Sequence, residues 1–188
     1  MITLKTKAEE SEINQLNLEN FEAFYSYYFP KIYSYIRFRI NAPHDTDDLT
    51  SKVFERVIVH ADRFNSEKGT FSAWIFAIAN NLVIDYFKSK SGRTKNVSLD
   101  LLTNTGSSQK SPEHKVIDRE LKKNLLAALQ EIDEEKRALI ALKFWSGLNN
   151  REIARISGLS ESNVGVTLYR TLIQLKRILA KRGVDIND

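Results

Sequence analysis

Cysteine is absent from the 188 residues, proline occurs three times and glycine seven. A chain without thiols forms no disulfide, builds no thiolate zinc or iron–sulfur site and carries no cysteine nucleophile, in keeping with a reducing interior. The three histidines, His44, His60 and His114, are too far apart in the sequence for helical metal-ligand spacing. No apolar run approaches the ~18 residues of a membrane span. The opening residues, with Glu9, Glu10 and Glu12, lack the basic-then-apolar order of a signal peptide. These absences predict a cytoplasmic protein with no membrane insertion and no cofactor. The scarcity of helix breakers favours a helical chain of one or two small domains.

What the chain has is charge of both signs, 28 Lys and Arg against 24 Asp and Glu, for a net of +4. Counted by segment, the net is −3 for residues 1–30, 0 for 31–87, +4 for 88–115, 0 for 116–150 and +3 for 151–188. The positive excess is therefore local, and local patches attract phosphate even when the whole-chain charge is modest, because screening limits each charge to ~8 Å.

From Ser89 to Ser111 the sequence is dense in Ser, Thr, Asn, Gly and Lys and reads as a flexible basic tether. The expected organisation is two small helical domains, residues 15–90 and 112–182, joined by a linker at 91–111. In the first half Phe21, Phe24, Tyr25, Tyr28, Ile32, Tyr35, Ile36 and Ile40 recur at steps of three and four, one stripe of a helix kinked near Pro30. A second helix is expected with Asp45 as its N-cap and Leu49, Val53, Phe54, Val57 and Ala61 as its buried stripe. Arg63 to Thr70 reads as a loop, and Thr70 as the cap of a third helix. Phe71, Ile75, Ile78, Leu82 and Tyr86 form its predicted core stripe. Trp74, Ala77, Asn80, Asn81, Asp85 and Lys88 are placed on the opposite face.

In the second half Ser111-Pro112 predicts a helix start, with Val116, Leu121, Leu125, Ala128 and Leu129 along its buried side. Another helix opens at Asp133 and ends near Ser146-Gly147. Asn149 followed by Glu152 has the spacing of a capping box, and Ser160 can cap the next helix. Between them lie a small residue for close helix approach, Ala154, and a turn residue that tolerates positive φ, Gly158. Ile153, Leu159, Val164 and Leu168 are expected to fill the space between the helices. This is the pattern of a helix-turn-helix whose recognition helix runs from Ser160 to about Leu179. Its outward face carries Ser162, Asn163, Val166, Tyr169, Arg170, Ile173 and Arg177. Asn and Arg can read adenine and guanine edges bidentately, and Val can meet a thymine methyl. Lys176, Lys181 and Arg182 are expected nearer to phosphates.

Both halves, in this order, resemble the extracytoplasmic-function group of bacterial RNA polymerase sigma factors. In region 2 of that family a stretch of the type D-x-x-D-L-x-Q-x-x-F-x-R-V precedes an R-F loop, and here Asp45 to Phe64 reads DTDDLTSKVFERVIVHADRF. The family stretch F-x-x-W-L-x-x-I-A-x-N-x-x-x-D is matched by FSAWIFAIANNLVID, Phe71 to Asp85, and region 4 by Ile132 to Leu179. The resemblance implies that Asp48, Ser51, Lys52, Glu55 and Arg56 dock on the clamp helices of the largest polymerase subunit. It implies that the Arg63 to Thr70 loop captures a base of the minus-10 element, with Asn65, Ser66, Lys68, Asn80, Asn81 and Lys88 toward that DNA. The recognition helix would read the minus-35 element in the major groove. Further implied partners are the flap of the second-largest subunit and an anti-sigma factor. The chain departs from the family pattern at Ser51, commonly Gln, at Asn80, commonly Arg, and at Gly165 and Thr167, where many relatives carry Lys or Arg.

A reading from another class is a free-standing helix-turn-helix regulator with an N-terminal dimerisation or sensing module. The stretch DTDDLTSKVFERV discriminates, since a dimerisation module has no need of it. An enzyme ranks below both: Glu55, Asp62 and Asp85 are the acids near a plausible cleft, and no nucleophile, phosphate loop or metal cluster accompanies them.

Overall fold

The computed structural model describes residues 21–40, 42–90, 124, 125 and 127–184. Among these residues all regular structure is helical. Among the described residues, four bounded helices and a turn precede the helix-turn-helix pair: α1 (Phe21–Ile40), α2 (Pro43–Val59), a 3-10 turn (Ala61–Arg63), α3 (Phe71–Lys90) and α4 (Glu134–Trp145), with residues 127–130 also helical just before α4. The pair itself is α5 (Asn150–Ser157) and α6 (Glu161–Lys181). The 91–111 segment and the helix start at Ser111-Pro112 lie outside the described residues.

α1 is assigned as one helix through Pro30. Its stripe of Phe24, Tyr28, Ile32, Tyr35 and Ile36 is almost wholly buried. Phe24 meets Phe54 of α2 at 5.7 Å and Phe71 of α3 at 5.4 Å between ring centroids, both edge-on. Edge-to-face pairs of this kind add ~0.5–1.5 kcal/mol beyond area burial.

Asp45 is not the N-cap of α2. The helix begins two residues earlier at Pro43, whose ring pre-sets φ and needs no donor, after an extended Ala42 that makes no side-chain cap. Asp45 sits in the first turn instead, where its carboxylate accepts from Tyr86 Oη at 2.6 Å and Lys90 Nζ at 2.7 Å. The start of α2 is thereby tied to the end of α3. The Lys90 and Tyr86 hydrogen bonds hold the Asp45 carboxyl below its usual range.

α3 also departs from a single buried stripe, because Phe76, Ala79, Asn80 and Val83 are buried together with Phe71, Ile75 and Leu82. It packs against α1 and α2 on one side and meets α5 on another. The buried residues of the two halves join in one apolar cluster. α1 lies against α4, with Phe38 and Trp145 rings 4.6 Å apart.

Candidate nucleic-acid and polymerase interface

Three surfaces carry the expected site residues. On α2 the buried Leu49, Val53, Phe54 and Val57 turn the opposite face outward, and Asp48, Ser51, Lys52, Glu55 and Arg56 are all exposed along it. Ser51 Oγ donates to the Asp47 carbonyl at 3.0 Å, so this short side chain folds back on its own helix. Exposed Ile58 and Val59 extend the face at its C-terminal end. Neither is among the expected docking residues, although i,i+3 spacing from Glu55 marks Ile58.

The second surface is the loop before α3. Phe64 packs on Phe71 at 5.2 Å and on Trp74 at 5.6 Å, which pins the start of the loop to the core. Trp74 is therefore part of this aromatic packing, half-buried. Asn65 Oδ1 accepts from the Glu67 amide at 2.8 Å, and the Lys68 amide donates to the Asn65 carbonyl at 3.1 Å. These two bonds make a tight turn that leaves Asn65, Ser66 and Lys68 exposed. Thr70 closes the loop as the cap of α3, accepting from the Ala73 amide at 3.2 Å. Asn81 and Lys88 are exposed on α3. Asn80 is not on that outer face: it is 4% exposed, and its carboxamide oxygen accepts from Tyr35 Oη at 3.1 Å and Arg39 Nη1 at 2.7 Å. The cause is the second buried side of α3.

The third surface is the helix-turn-helix. Asn149 and Glu152 form the full capping box, each side chain taking the other's backbone N–H at 3.0 Å. Gly158 closes α5 at φ 75°, a left-handed conformation that costs glycine nothing. Ser160 Oγ accepts from the Asn163 amide at 3.2 Å and starts α6. Ile153, Val164 and Leu168 are buried between the helices, whereas Leu159 is 39% exposed in the turn rather than packed there. Ser162, Asn163, Val166, Tyr169, Arg170 and Arg177 face solvent, Tyr169 at 68%, and Ile173 is half-buried. Arg182 is held by Glu131 at 2.6 Å, so it is engaged within the fold.

A buried polar cluster that the sequence did not reveal joins the halves. The Arg39 side chain, 1% exposed, donates through Nη1 to Tyr35 Oη at 2.6 Å and to Asn80, and through Nε to Glu134 Oε1 at 2.9 Å. Nη2 adds an ion pair with the same Glu134 oxygen. Burial alone lowers the Arg39 pKa, but Tyr35 and Glu134 beside it outweigh that and raise it. Burial raises the Tyr35 phenol, against the pull of Arg39. A further link between the halves is made where Thr70 Oγ1 donates to Glu152 Oε1 at 2.6 Å and Arg155 reaches the Lys68 carbonyl at 3.4 Å. Among the described residues no His, Asp and Glu group has the arrangement of a metal site.

Comparison with known proteins agrees with this layout. Residues 24–93 match the family model for sigma-70 region 2 and residues 122–175 that for sigma-70 region 4, together more than half of the chain. The ECF RNA polymerase sigma factor BldN of Streptomyces coelicolor is 30% identical over 179 residues, 95% of this chain and 66% of BldN. SigM of Bacillus subtilis, another ECF sigma factor, is 28% identical over 86% of this chain and 95% of its own. Among solved structures, the sigma factor RpoE with the anti-sigma factor NepR, from Bartonella quintana, superposes with TM-score 0.70 at 16% identity, covering 86% of this chain and 98% of that one. CnrH with the cytosolic domain of CnrY gives 0.63 at 19% identity, covering 93% and 96%. With the helix-turn-helix, the α2 face and both family regions in order, the chain belongs to the extracytoplasmic-function sigma factors of the sigma-70 family.

Proposed function

We propose that this sigma factor is a non-catalytic promoter-specificity subunit working in the cytoplasm. It docks on core RNA polymerase through the exposed face of α2, Asp48, Ser51, Lys52, Glu55 and Arg56, with Ile58 and Val59 adding apolar contact at the edge. The polymerase surface is the clamp helices of the largest subunit, and region 4 meets the flap of the second-largest. Asn65, Ser66 and Lys68 on the pinned loop take the minus-10 strand, with Asn81 and Lys88 along α3. The working division is residues 15–90 for polymerase and minus-10 binding, 91–111 as linker and 112–182 for the minus-35 element.

α6 enters the major groove with Ser162, Asn163, Val166, Tyr169 and Arg170 toward base edges, and Arg177 further along. Ile173, half-buried, supports that face from below. The observation that carries the reading is that a solvent-facing, mixed-charge α2 and a capped helix-turn-helix with an exposed reading face occur in one chain. A free-standing regulator accounts for the second feature and leaves the first without a purpose. An anti-sigma factor that covers these surfaces fits the same layout.

Arg170→Ala is the residue-level test. If Arg170 forks onto a base, its loss costs about 1–3 kcal/mol of minus-35 discrimination and leaves core polymerase binding intact. Equal loss of both in a gel-shift and a polymerase pull-down counts against placing α6 in the groove.

A further inference from the structure

The Arg39 cluster has a geometry that a structural ion pair alone does not require. One corner of the guanidinium, Nη1, is fixed by Tyr35 and Asn80, both from the first half. The remaining Nε and Nη2 edge is aimed at Glu134 of the second half. That edge is a planar fork that accepts a carboxylate or a phosphate equally well. Its counter-ion is the less buried partner, with the Glu134 side chain 33% exposed.

The closed arrangement also conflicts with reading both promoter elements at once. Elements near positions −35 and −10 lie roughly 25 base pairs apart, or ~85 Å of B-form DNA at 3.4 Å per base pair. Here Thr70 touches Glu152 at 2.6 Å. Helix rise and chain reach then place the start of α6 within about 25 Å of the loop. The two halves must separate, and separation strips Arg39 of Glu134.

We propose that Glu134 is an intramolecular stand-in for a DNA phosphate: it latches the second half onto Arg39, and in the open chain the same guanidinium edge, held by Tyr35 and Asn80, binds a phosphate of the promoter strand. The proposal rests on the sigma-factor reading and extends it to a residue outside the expected site set. Arg39 is a fitting choice because Asn80, beside it, follows the loop on the helix that carries Asn81 and Lys88. The closed chain hides this anion site while leaving the minus-35 face exposed, so closure acts on minus-10 binding selectively.

The test uses the full chain, whose lack of cysteine allows clean labelling through Asp62→Cys and Glu161→Cys, both exposed positions. Fluorescence energy transfer between them reads closure, and anisotropy with a mixed-sequence single-stranded DNA reads binding across a salt series. Glu134→Gln is expected to lower transfer and raise DNA affinity severalfold, whereas Glu135→Gln, the same charge change one residue away, leaves transfer unchanged and gains less. Adding Arg39→Lys to Glu134→Gln keeps the charge, loses the fork and gives back most of the gain. Adding Arg39→Ala instead flattens the slope of log affinity against log salt by about 0.7, the loss of one phosphate contact on a single strand.

Circular dichroism checks that each variant folds, and Arg39→Lys carries the test if Arg39→Ala does not. Unchanged transfer in Glu134→Gln overturns the latch. Opening without a gain in DNA affinity, or a gain that survives both Arg39 substitutions, overturns the phosphate site. Wild-type chain that supports no transcription with core polymerase would sink the sigma-factor reading, and the two optical measurements would still decide the latch.

Discussion

Asp45 and Arg39 show how two charged residues in one small fold take different roles from their surroundings. Asp45 is partly exposed and bound by Tyr86 and Lys90, and its carboxyl is held below the usual carboxylate range. A carboxyl whose folded pKa lies below its unfolded value contributes stability that is present in full above the unfolded value and is lost as pH falls through the folded one. Acid unfolding of the wild type should therefore steepen below about pH 4, the ordinary range for such a group. Asp45→Asn should flatten that part of a stability-against-pH curve while leaving the curve near pH 7 nearly parallel to wild type. An unchanged acid limb would mean that the ties between α2 and α3 carry no weight. Arg39, by contrast, is enclosed, and removing Glu134 leaves a buried charge without its partner, an outcome costly enough to favour opening.

Among the elements, the caps and turns were legible in the sequence because they are short-range. Asn149, Glu152, Gly158, Ser160 and Thr70 each act within three or four residues of themselves, so residue type and spacing suffice. The faces of α3 were less legible. A wheel with one apolar stripe sends Asn80 outward, yet α3 packs against several helices and buries a polar residue whose partners lie 41 and 45 positions away. Leu159 failed for the opposite reason, since an apolar residue in a tight turn can stay at the surface. An acid at Asp45, ahead of an apolar stripe, has the spacing of an N-cap, but Pro43 starts the helix first.

Gly165 gives a direct test at the same scale. It lies within α6 with ordinary helical φ, and a Cβ there would meet Asn150 Nδ2 at 3.5 Å, an ordinary contact. Gly165→Ala should raise stability by up to ~1 kcal/mol through helix propensity, read as an upward shift in melting temperature, with the recognition face unaltered. A loss of stability would mean that the α5–α6 approach is tighter than the contact distance implies.

For the whole molecule, the division into two halves was legible from composition, and their contact was not. Charge counting places the positive excess in the 88–115 segment and beyond residue 150, and leaves residues 31–87 neutral. Nothing in that count marks Glu134 as the partner of Arg39, because the two are 95 residues apart and no local spacing links them. The same holds for Phe38 with Trp145 and Thr70 with Glu152. The halves therefore present complementary surfaces to one another.

As a sigma factor, this chain gives core RNA polymerase a promoter choice. Run-off transcription across fragmented genomic DNA, with purified bacterial core polymerase and the full-length chain, tests it in one measurement. The expected result is a small set of discrete start sites sharing upstream elements near −35 and −10, absent without the chain and lost when Asp48 and Glu55 are both changed to Arg. Core polymerase that neither binds the chain nor starts at any new site in its presence would contradict it.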